Sequence, residues 1–419
     1  HSTNKTIMGI DDSGDTFSIK ANSSSFTTYT SGGVVNRIYQ ITSPYAAADL
    51  SAIKFAQSAD IMYLVHPDYS VRKLTRTGHT SWSLTEVDFT NGVYLPDNAT
   101  TTTLNPSHHT VGTGRTVVAS ATTGINGGSG FQSTDVGRLL RFGSGHGKIT
   151  AVADTLNFTM EILVDMGSAT ASTDFALGSF SDTTGHPSCV TFFEQRLVFA
   201  STTDEPQTLF FSRVNNYEDF EDDRNGTVTD LSAMTYTIAS NRVNTIRYLS
   251  AQRSLIAGTT GGEFVVSASG TTQPITPTNI QIQRQTSYGT ANVDAIQVAN
   301  VTMFLQRAKR KIRELTYSFD FDSYVAPDMT ILAENITESG VKELSYQQEP
   351  ESIIWGTRED GKLIGLTYQR AEDVVGWHIH EVGGSFGSDS FAHVENIATI
   401  PGDADEDDLY MVVKRTING

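Results

Sequence analysis

The stretch Arg196-Leu-Val-Phe-Ala200, followed after a polar turn by Thr208-Leu-Phe-Phe-Ser212, decides the fold of this chain. Short runs of β-branched and aromatic residues bounded by turn residues are typical of hairpin strands, and capped windows with a 3.6-residue period are scarce elsewhere. The chain is therefore expected to be all-β. The pattern returns in five other places: Ile61–Val65 with Val71–Thr75, Ser254–Ala257 with Glu263–Ser267, Val301–Leu305 with Lys311–Leu315, Ser352–Trp355 with Lys362–Leu366, and Leu409–Val413, whose partner strand is expected beyond Gly419.

The spacing of these copies has the period of a propeller blade. The intervals between equivalent core residues are 134, 58, 48, 50 and 57 residues. If the 77 residues from 105 to 181 are an insertion, the first interval falls to 57 and the series becomes regular. A four-stranded blade takes roughly 40 to 50 residues, and radial repetition protects the sheet edges of a long all-β chain. We therefore expect a β-propeller of about six blades, complete or incomplete in this chain, with core residues Leu64, Val198, Ile256, Phe304, Ile354 and Met411.

This spacing divides the chain into four segments. Residues 1–45 are expected to hold strands that form a platform or close the ring, and residues 46–104 the first part of the propeller. Residues 105–181 are expected to form an inserted small β-barrel or sandwich, and residues 182–419 the remaining blades. The strands expected in the first and third segments are Phe17–Ile19, Val34–Ile41, Val111–Val118, Phe131–Phe142, Lys148–Val152 and Asn157–Val164.

Composition narrows the classes of function. The 47 acidic and 29 basic residues give a formal charge of −18, which disfavours a high-affinity nucleic-acid binder. Hydrophobic residues make up 38% and charged residues 18%, enough to build a packed core. The single cysteine, Cys189, excludes an internal disulfide framework. Neither a secretion signal nor a membrane-spanning apolar run is recognised in the sequence.

Two copies also share a signature expected for an outer strand. Ser81-Trp-Ser-Leu-Thr-Glu-Val87 and Gly376-Trp-His-Ile-His-Glu-Val382 place their tryptophan and Glu-Val pair at the same offsets. Strand alternation puts the tryptophan and the apolar residue two positions later on one face. We interpret Trp82 and Trp377 as packing between blades.

The sequence does not match the motifs of common catalytic sites. In Gly143-Ser-Gly-His-Gly-Lys-Ile149, Phe142 stands where a phosphate loop needs its first glycine and Ile149 where it needs Ser or Thr. Cys189 lies three residues after His186, but it opens an apolar run and is interpreted as a buried structural thiol. No nucleophile elbow is present. We therefore expect no catalytic residues, no cofactor and no enzymatic activity.

Metal sites are also not expected. His108 and His109 are adjacent, so in an extended segment their side chains point to opposite sides. Three acidic runs, at residues 11–15, 218–223 and 403–408, lack the spacing of a calcium loop. They are interpreted as solvated turns.

The most informative charged feature is basic. Five of the seven residues from 307 to 313 are Lys or Arg in an otherwise acidic chain. Uninterrupted strand alternation would project four of them to one face, but the hairpin alignment places a turn near residues 308–310. Two hypotheses remain open beside a solvated hairpin tip: contact with an acidic run on a neighbouring subunit, or lining of a nucleic-acid passage. The candidate interface or DNA-channel residues are Arg307, Lys309, Arg310, Lys311 and Arg313.

Several segments resemble one family in collinear order. Ser43–Leu50, Ile53–Asp60 and the stretch from His66-Pro67 to Trp82 resemble tail tubular or nozzle-type proteins of short-tailed bacteriophages and related prophages. The resemblance continues to the end of the chain, and its strength lies in the series. The further matching stretches are Phe192–Ala200, Phe211–Phe220, Thr259–Phe264 and Ser287–Gly289.

The resemblance implies a structural protein of the virion tail, assembled in the host cytoplasm. In this family subunits form a ring, usually of six, below the portal and adaptor proteins, and the genome leaves through the central channel. An acidic lumen would let DNA slide without specific binding, because duplex DNA carries a negative charge about every 1.7 Å. The resemblance also implies a propeller-like domain with inserted modules and no catalysis.

Two alternatives stay open. One is a glycan-binding or glycan-cleaving propeller that contacts the host surface, although the repeated sialidase box is absent, with Arg76 where its aspartate would stand. Glycoside hydrolysis needs two converging carboxylates, which sequence does not locate. The other alternative is a protein-interaction propeller without a familiar blade signature.

Overall fold

The computed structural model describes residues 7–11, 16–19, 39–224, 226–239, 243–270, 273–402 and 405–417. The chain divides into two compact units, residues 1–40 and 41–419. In the first unit, β1 (Ile7–Asp11) pairs antiparallel with β2 (Thr16–Ile19). The strand expected at Phe17–Ile19 is therefore present, whereas most of the one expected at Val34–Ile41 lies outside the described residues.

The second unit opens with a four-stranded antiparallel meander, which we call blade 1. Its alternating side chains and tight turns form the hairpin expected at Ile61–Val65 and Val71–Thr75, in which Met62 lies opposite Leu74. The Trp82 strand is the outermost of the four, as its signature predicted. The strands are β3 (Lys54–Ser58), β4 (Ile61–His66), β5 (Tyr69–Gly78) and β6 (Ser81–Glu86).

In the sequence, a six-stranded sheet follows blade 1 and precedes the next blade. It forms a module with its own core. Its order is β12-β9-β10-β11-β8-β7, and backbone hydrogen bonds of 2.9 and 3.0 Å between Leu104 and Ser172 bring its two edges together as a half-barrel. The Phe131 and Phe158 rings pack in a tilted arrangement within its core, with centroids 4.2 Å apart. The strands are β7 (Leu104–Pro106), β8 (Gly112–Ala119), β9 (Leu139–Phe142), β10 (Gly145–Val152), β11 (Asn157–Val164) and β12 (Phe175–Leu177).

One strand of the module is shorter than the sequence predicted. The run Phe131–Phe142 is extended only from Leu139, because Ser133–Asp135 forms a 3₁₀ turn and Gly137 takes a left-handed φ of 91°. The buried Asp135 carboxylate pairs with Arg138 at 2.8 Å and also accepts the backbone N–H of Gln132. These polar contacts stabilise the turn against the strand that the apolar pattern favoured.

Five further sheets follow in sequence order, and each is an antiparallel meander of consecutive strands. The five complete hairpins quoted from the sequence are the second and third strands of blades 1 to 5. The strands are, in blade 2, β13 (Cys189–Phe193), β14 (Arg196–Ala200), β15 (Thr208–Phe211) and β16 (Met234–Thr237); in blade 3, β17 (Ile246–Ala251), β18 (Leu255–Thr259), β19 (Gly262–Ala268) and β20 (Ile280–Thr286); in blade 4, β21 (Ile296–Val298), β22 (Val301–Leu305), β23 (Ile312–Ser318) and β24 (Ser323–Val325); in blade 5, β25 (Val341–Gln347), β26 (Ile353–Arg358), β27 (Leu363–Gln369) and β28 (Val374–His380); and in blade 6, β29 (Val382–Phe386), β30 (Asp389–Pro401) and β31 (Asp407–Lys414).

Apolar clusters join each blade to the next. Tyr63 of blade 1 packs in one cluster with Phe199 of blade 2, and Tyr248 of blade 3 in another with Phe304 of blade 4. Three further clusters join blades 2 and 3, blades 4 and 5, and blades 5 and 6. The protein is therefore an all-β propeller with six blades in the described part of the chain and an inserted half-barrel module.

The inner strands converge at one point. Lys54, at the start of β3, lies 2.9 Å from Asp294 beside β21 and 4.0 Å from Cys189 in β13, and it donates a hydrogen bond to the Arg247 carbonyl in β17. Groups from the first four blades thus meet at a single ammonium. This convergence defines the propeller axis.

Blade 6 has three strands among the described residues. The quoted segment Leu409–Val413 lies in β31 and pairs with β30 upstream, with Leu409 opposite Thr399. A partner beyond Gly419 lies outside the described residues. The outer tryptophans also differ: Trp377 donates to the Met329 carbonyl at 2.9 Å between blades 4 and 5, whereas Trp82 donates to the His79 carbonyl of its own blade.

Helical structure is limited to short turns in the described ranges. None of them approaches the length and apolar character that a membrane-crossing helix needs. The 3₁₀ turns are Leu50–Ala52, Asn126–Gly128, Ser133–Asp135 and Arg370–Glu372.

Candidate functional site

The basic segment is the turn between β22 and β23 of blade 4. The Gln306 N–H donates to the Lys311 carbonyl at 2.8 Å, and Lys309 takes a left-handed φ of 60°. A turn therefore interrupts the alternation, as the hairpin alignment predicted. The basic side chains do not line one strand face.

Three of the five basic side chains have partners within the chain. Lys309 pairs with Glu359 of blade 5 at 2.7 Å, and Lys311 pairs with Asp328 at 2.8 Å. The hydrogen bond to Asp328 raises the pKa of the Lys311 ammonium. The Arg313 guanidinium stacks on the Tyr288 ring, 3.5 Å from its centroid. These three side chains hold blade 4 together and fasten it to blade 5.

Arg307 and Arg310 remain exposed and make no ion pair within the described ranges. The connection from β24 to β25 packs against their turn, since the Thr337 hydroxyl donates to the Arg310 carbonyl at 2.6 Å. That connection carries Ile331 and Leu332, and Leu332 is 98% exposed. We call Arg307, Arg310, Ile331 and Leu332 the blade 4 end surface.

The opposite end of blade 4 carries a second apolar feature. The hairpin between β23 and β24 is held by a 2.6 Å hydrogen bond from the Tyr317 hydroxyl to Asp322. At its tip, Phe319 is 89% exposed and Phe321 is also largely exposed. Four of the five most exposed large apolar side chains described belong to blade 4 and its connection to blade 5. Large apolar side chains that are exposed next to one another mark contact surfaces, and blade 4 carries one such pair at each end.

A groove of about 1090 Å³ crosses blades 2, 3 and 4 beside this hairpin. It lies on the propeller face that carries the turns between first and second strands and between third and fourth strands. At its blade 2 edge, Glu194 and Gln195 both take left-handed φ values, 46° and 61°. These two residues form the tight turn between β13 and β14, where two-residue hairpin turns take positive φ values. The aromatic and amide side chains in the wall are Tyr317, Tyr324, Gln195, Gln273, Gln283 and Gln285.

Two charged residues of the groove hold its loops in place by hydrogen bonds to backbone groups. Arg196 is buried and donates to the carbonyls of Ser212, Ser232 and Asp230 at 2.7, 2.7 and 2.6 Å. Burial lowers the pKa of Arg196 to about 10. The Glu194 carboxylate accepts the Ile275 N–H at 2.6 Å. Both contacts fix loops of the groove wall.

Cys189 lies at the axis, away from His186. The thiol is buried, and this burial raises its pKa, opposed by the nearby Lys54 ammonium. His186 instead hydrogen-bonds Asp182 at 2.8 Å. The structure thus confirms the interpretation of Cys189 as a buried thiol and does not bring the two residues together as a nucleophile and base.

The adjacent histidines contact different groups. His108 bonds the Ser107 hydroxyl at 3.1 Å and His109 bonds Asp165 at 3.0 Å. The glycine-rich segment 143–149 is a hairpin between β9 and β10 rather than a loop that opens a helix.

Carboxylates of the acidic run at 218–223 form ion pairs with basic side chains of the same chain. Glu218 binds Lys73 at 2.6 Å and Asp223 binds Arg213 at 2.8 Å. The runs at 11–15 and 403–408 lie partly outside the described residues. Elsewhere in the described chain, no group of three or more His, Cys, Asp or Glu side chains is placed to hold a metal ion.

Sequence reasoning missed the groove, the exposed Phe319 and Phe321, and the Lys54 cluster. The groove draws its wall from segments about a hundred residues apart, which no local pattern reports. The exposed phenylalanines did leave a signal, because Phe319-Asp-Phe321 alternates within a turn where apolar residues are uncommon.

Comparison with known proteins shows no relative in sequence. No protein-family model matches the chain, and no curated protein matches it. Solved structures with remote similarity include an auxiliary nutrient binding protein from Bacteroides thetaiotaomicron, at 10% identity over 77% of this chain and 81% of that one, with a TM-score of 0.31. A chain of a mitotic checkpoint complex matches at 12% identity over 94% and 98%, with a TM-score of 0.37. The Pan2 WD40 domain of Neurospora crassa matches at 8% identity over 87% and 86%, with a TM-score of 0.34. At these scores the similarities carry no argument about function.

Proposed function

We propose that this chain is a ring-forming nozzle or tubular protein of a bacteriophage tail, a structural component without catalytic activity. The collinear resemblance described above supports this proposal. In such a ring, subunits of this type, usually six in the family, sit below the portal and adaptor proteins, and DNA passes through the channel during ejection. The ring belongs to the virion tail and is assembled in the host cytoplasm.

The blade 4 end surface is the observation that carries this proposal. Leu332 and Ile331 expose aliphatic area that a free monomer gains nothing by presenting to water. Arg307 and Arg310 lie on the turn beside them, and arginine together with apolar side chains is typical of the centre of protein interfaces. We infer that this surface contacts the next subunit of the ring.

The net negative charge of each subunit explains why a contact between subunits needs arginine. Each subunit carries a formal charge of −18, so a ring of them repels itself unless opposite charges meet at the subunit boundaries. Arg307 and Arg310 are suited to meet an acidic run on the neighbour, since the chain supplies them with no internal ion pair among the described residues. The remaining acidic surface is then available to line a channel that does not hold DNA.

Electron microscopy and light scattering of the purified full chain test this proposal. Closed rings, with a mass several times that of one chain, are the expected result. The variant pair Ile331→Ser and Leu332→Ser should shift the protein to monomers, while Val111→Ser, an exposed apolar change on the inserted module, should leave the rings intact. A chain that stays monomeric at all concentrations, and that is absent from purified tails, would contradict the proposal.

The groove favours a second candidate function, the binding of a surface glycan. Tyr317 and Tyr324 form an edge-to-face pair, with centroids 5.7 Å apart, next to several amide side chains. Aromatic faces and amides are groups that stack on sugar rings and bond their hydroxyls. A glycan panel probed with the wild type and with Tyr324→Ala separates the two functions. Binding by a monomer, lost on substitution, would favour this second candidate.

A further inference from the structure

Three neighbouring residues of blade 5 form a row across its outer strands. Trp355 of β26 lies opposite Gly365 of β27, and Gly365 lies opposite His378 of β28. A Cβ added at Gly365 would come within 2.0 Å of the His378 imidazole. The His378 ring therefore occupies the space above Gly365 and packs edge-on against Trp355, with centroids 5.6 Å apart.

His380 lies two residues later, on the same face of β28. Its ring packs 4.8 Å from that of His378 and 5.3 Å from that of Trp355. The His380 Nε2 atom lies 2.6 Å from the His378 Nδ1 atom. His380 is exposed and His378 is half-buried, so this pair of rings is within reach of solvent.

We propose that His378 and His380 form a two-nitrogen chelating site for a late first-row divalent metal ion. Of these ions, the site binds Cu²⁺ most tightly. Imidazole nitrogen suits copper, nickel and zinc, and affinity rises to a maximum at Cu²⁺ in this series. Two ring nitrogens that already face one another need only a small separation to admit an ion between them. The exposed side leaves the other coordination positions to water.

The surroundings of His378 favour the metal-binding tautomer. Its Nε2 atom lies 3.4 Å from the Thr367 hydroxyl, which can accept a hydrogen bond from an Nε2–H group and so leave Nδ1 free as the ligand atom. Groups that hold the second ring nitrogen in this way orient metal-binding histidines.

The other histidine contacts differ in kind. His109, His186 and His393 each bond a carboxylate, of Asp165, Asp182 and Asp389 respectively. Within the described chain, His378 and His380 are the two histidines whose ring nitrogens face one another. This geometry distinguishes them from His108 and His109, the adjacent pair that the sequence analysis rejected as a metal site.

The test is titration of the full chain with Cu²⁺ alone, followed by electron paramagnetic resonance and by competition with a chelator of known affinity. The wild type should bind one equivalent of Cu²⁺ more than either His378→Asn or His380→Asn, and that equivalent should show coupling to two nitrogens. The matched change His108→Asn should leave it in place. Ni²⁺ and Zn²⁺ should bind the same site more weakly.

Gly365→Ala supplies a variant that keeps both ligands. Its methyl group should displace the His378 ring and weaken Cu²⁺ binding by about 10- to 100-fold, the range seen when an orienting group at a metal site is lost. His380 is exposed, so its substitution leaves the fold intact and provides the decisive comparison. Equal Cu²⁺ stoichiometry and affinity in the wild type, His378→Asn and His380→Asn would overturn the proposal.

Discussion

The Lys54 ammonium lies 2.9 Å from the Asp294 carboxylate and so joins the first residue of blade 1 to the segment that leads into blade 4. Lys54 is almost fully buried, whereas Asp294 is more than half exposed. Burial opposes the charge on Lys54, but Cys189 and Asp294 more than offset this effect, and the pKa of the ammonium is raised. A charged lysine thus stays at the propeller axis because its partner comes from another blade.

Removal of that partner should destabilise the propeller. Asp294→Ala leaves a buried charge without its counterion, and we expect a loss of about 3 kcal/mol in the free energy of unfolding. The double variant Lys54→Met with Asp294→Ala should recover most of this loss, because no unpaired charge remains. Urea unfolding followed by circular dichroism measures both.

The control for this prediction is Asp88→Ala, which removes an exposed partner of Lys148. It should change stability by less than about 0.5 kcal/mol. Equal losses in Asp294→Ala and Asp88→Ala would mean that the axis pair is no more than a surface contact.

Glu263 should make stability depend on pH. Burial raises the pKa of its carboxyl above the value in the unfolded chain, although the Thr286 hydroxyl bonds it. Its contribution to stability is therefore fully present below the unfolded pKa, near 4.5, and is lost as the pH rises through the folded pKa. Glu263→Gln should flatten the fall in unfolding free energy over that window, measured by denaturant titrations at successive pH values.

The same substitution at exposed Glu338 provides the comparison for Glu263. Glu338→Gln should leave the pH profile as in the wild type. If Glu263→Gln and Glu338→Gln give the same profile, Glu263 does not govern this part of the pH dependence.

Charge reversal at the blade 4 turn should separate assembly from folding. Arg307→Glu with Arg310→Glu should weaken ring formation and alter its salt dependence without changing monomer stability, because both side chains lack internal ion pairs in the described structure. Lys309→Glu with Lys311→Glu should instead lower the thermal midpoint, since these residues bind Glu359 and Asp328. Analytical ultracentrifugation at two salt concentrations and thermal unfolding distinguish the two effects.

The exposed phenylalanines of blade 4 should matter for association rather than for folding. Phe319→Ser with Phe321→Ser removes apolar area that contacts solvent in the monomer, so the unfolding free energy should stay within about 0.5 kcal/mol of the wild type. Binding to neighbouring subunits or tail proteins should fall. Native mass spectrometry of the assembled tail measures the change. Val111→Ser is the control. Equal association in the two variants would show that Phe319 and Phe321 are not part of an interface.

Sequence alone determined the all-β class, the five complete hairpins and the blade period. These properties are local: alternation and turn residues act over a few positions, and the repeat only has to be counted. It also placed the turn within the basic segment, since the copies align on it. The 3₁₀ turn at Ser133–Asp135 was missed, because the buried Asp135–Arg138 pair overrides the apolar pattern there.

Only the tertiary structure decided which side chains meet. Lys54 and Asp294 are 240 residues apart, and the groove combines loops of three blades, so neither follows from any window of sequence. The pairing of His378 with His380 depends on the absence of a side chain at Gly365 on the adjacent strand. Radial stacking of the blades brings such distant positions together, because each sheet must bury its apolar face against the next.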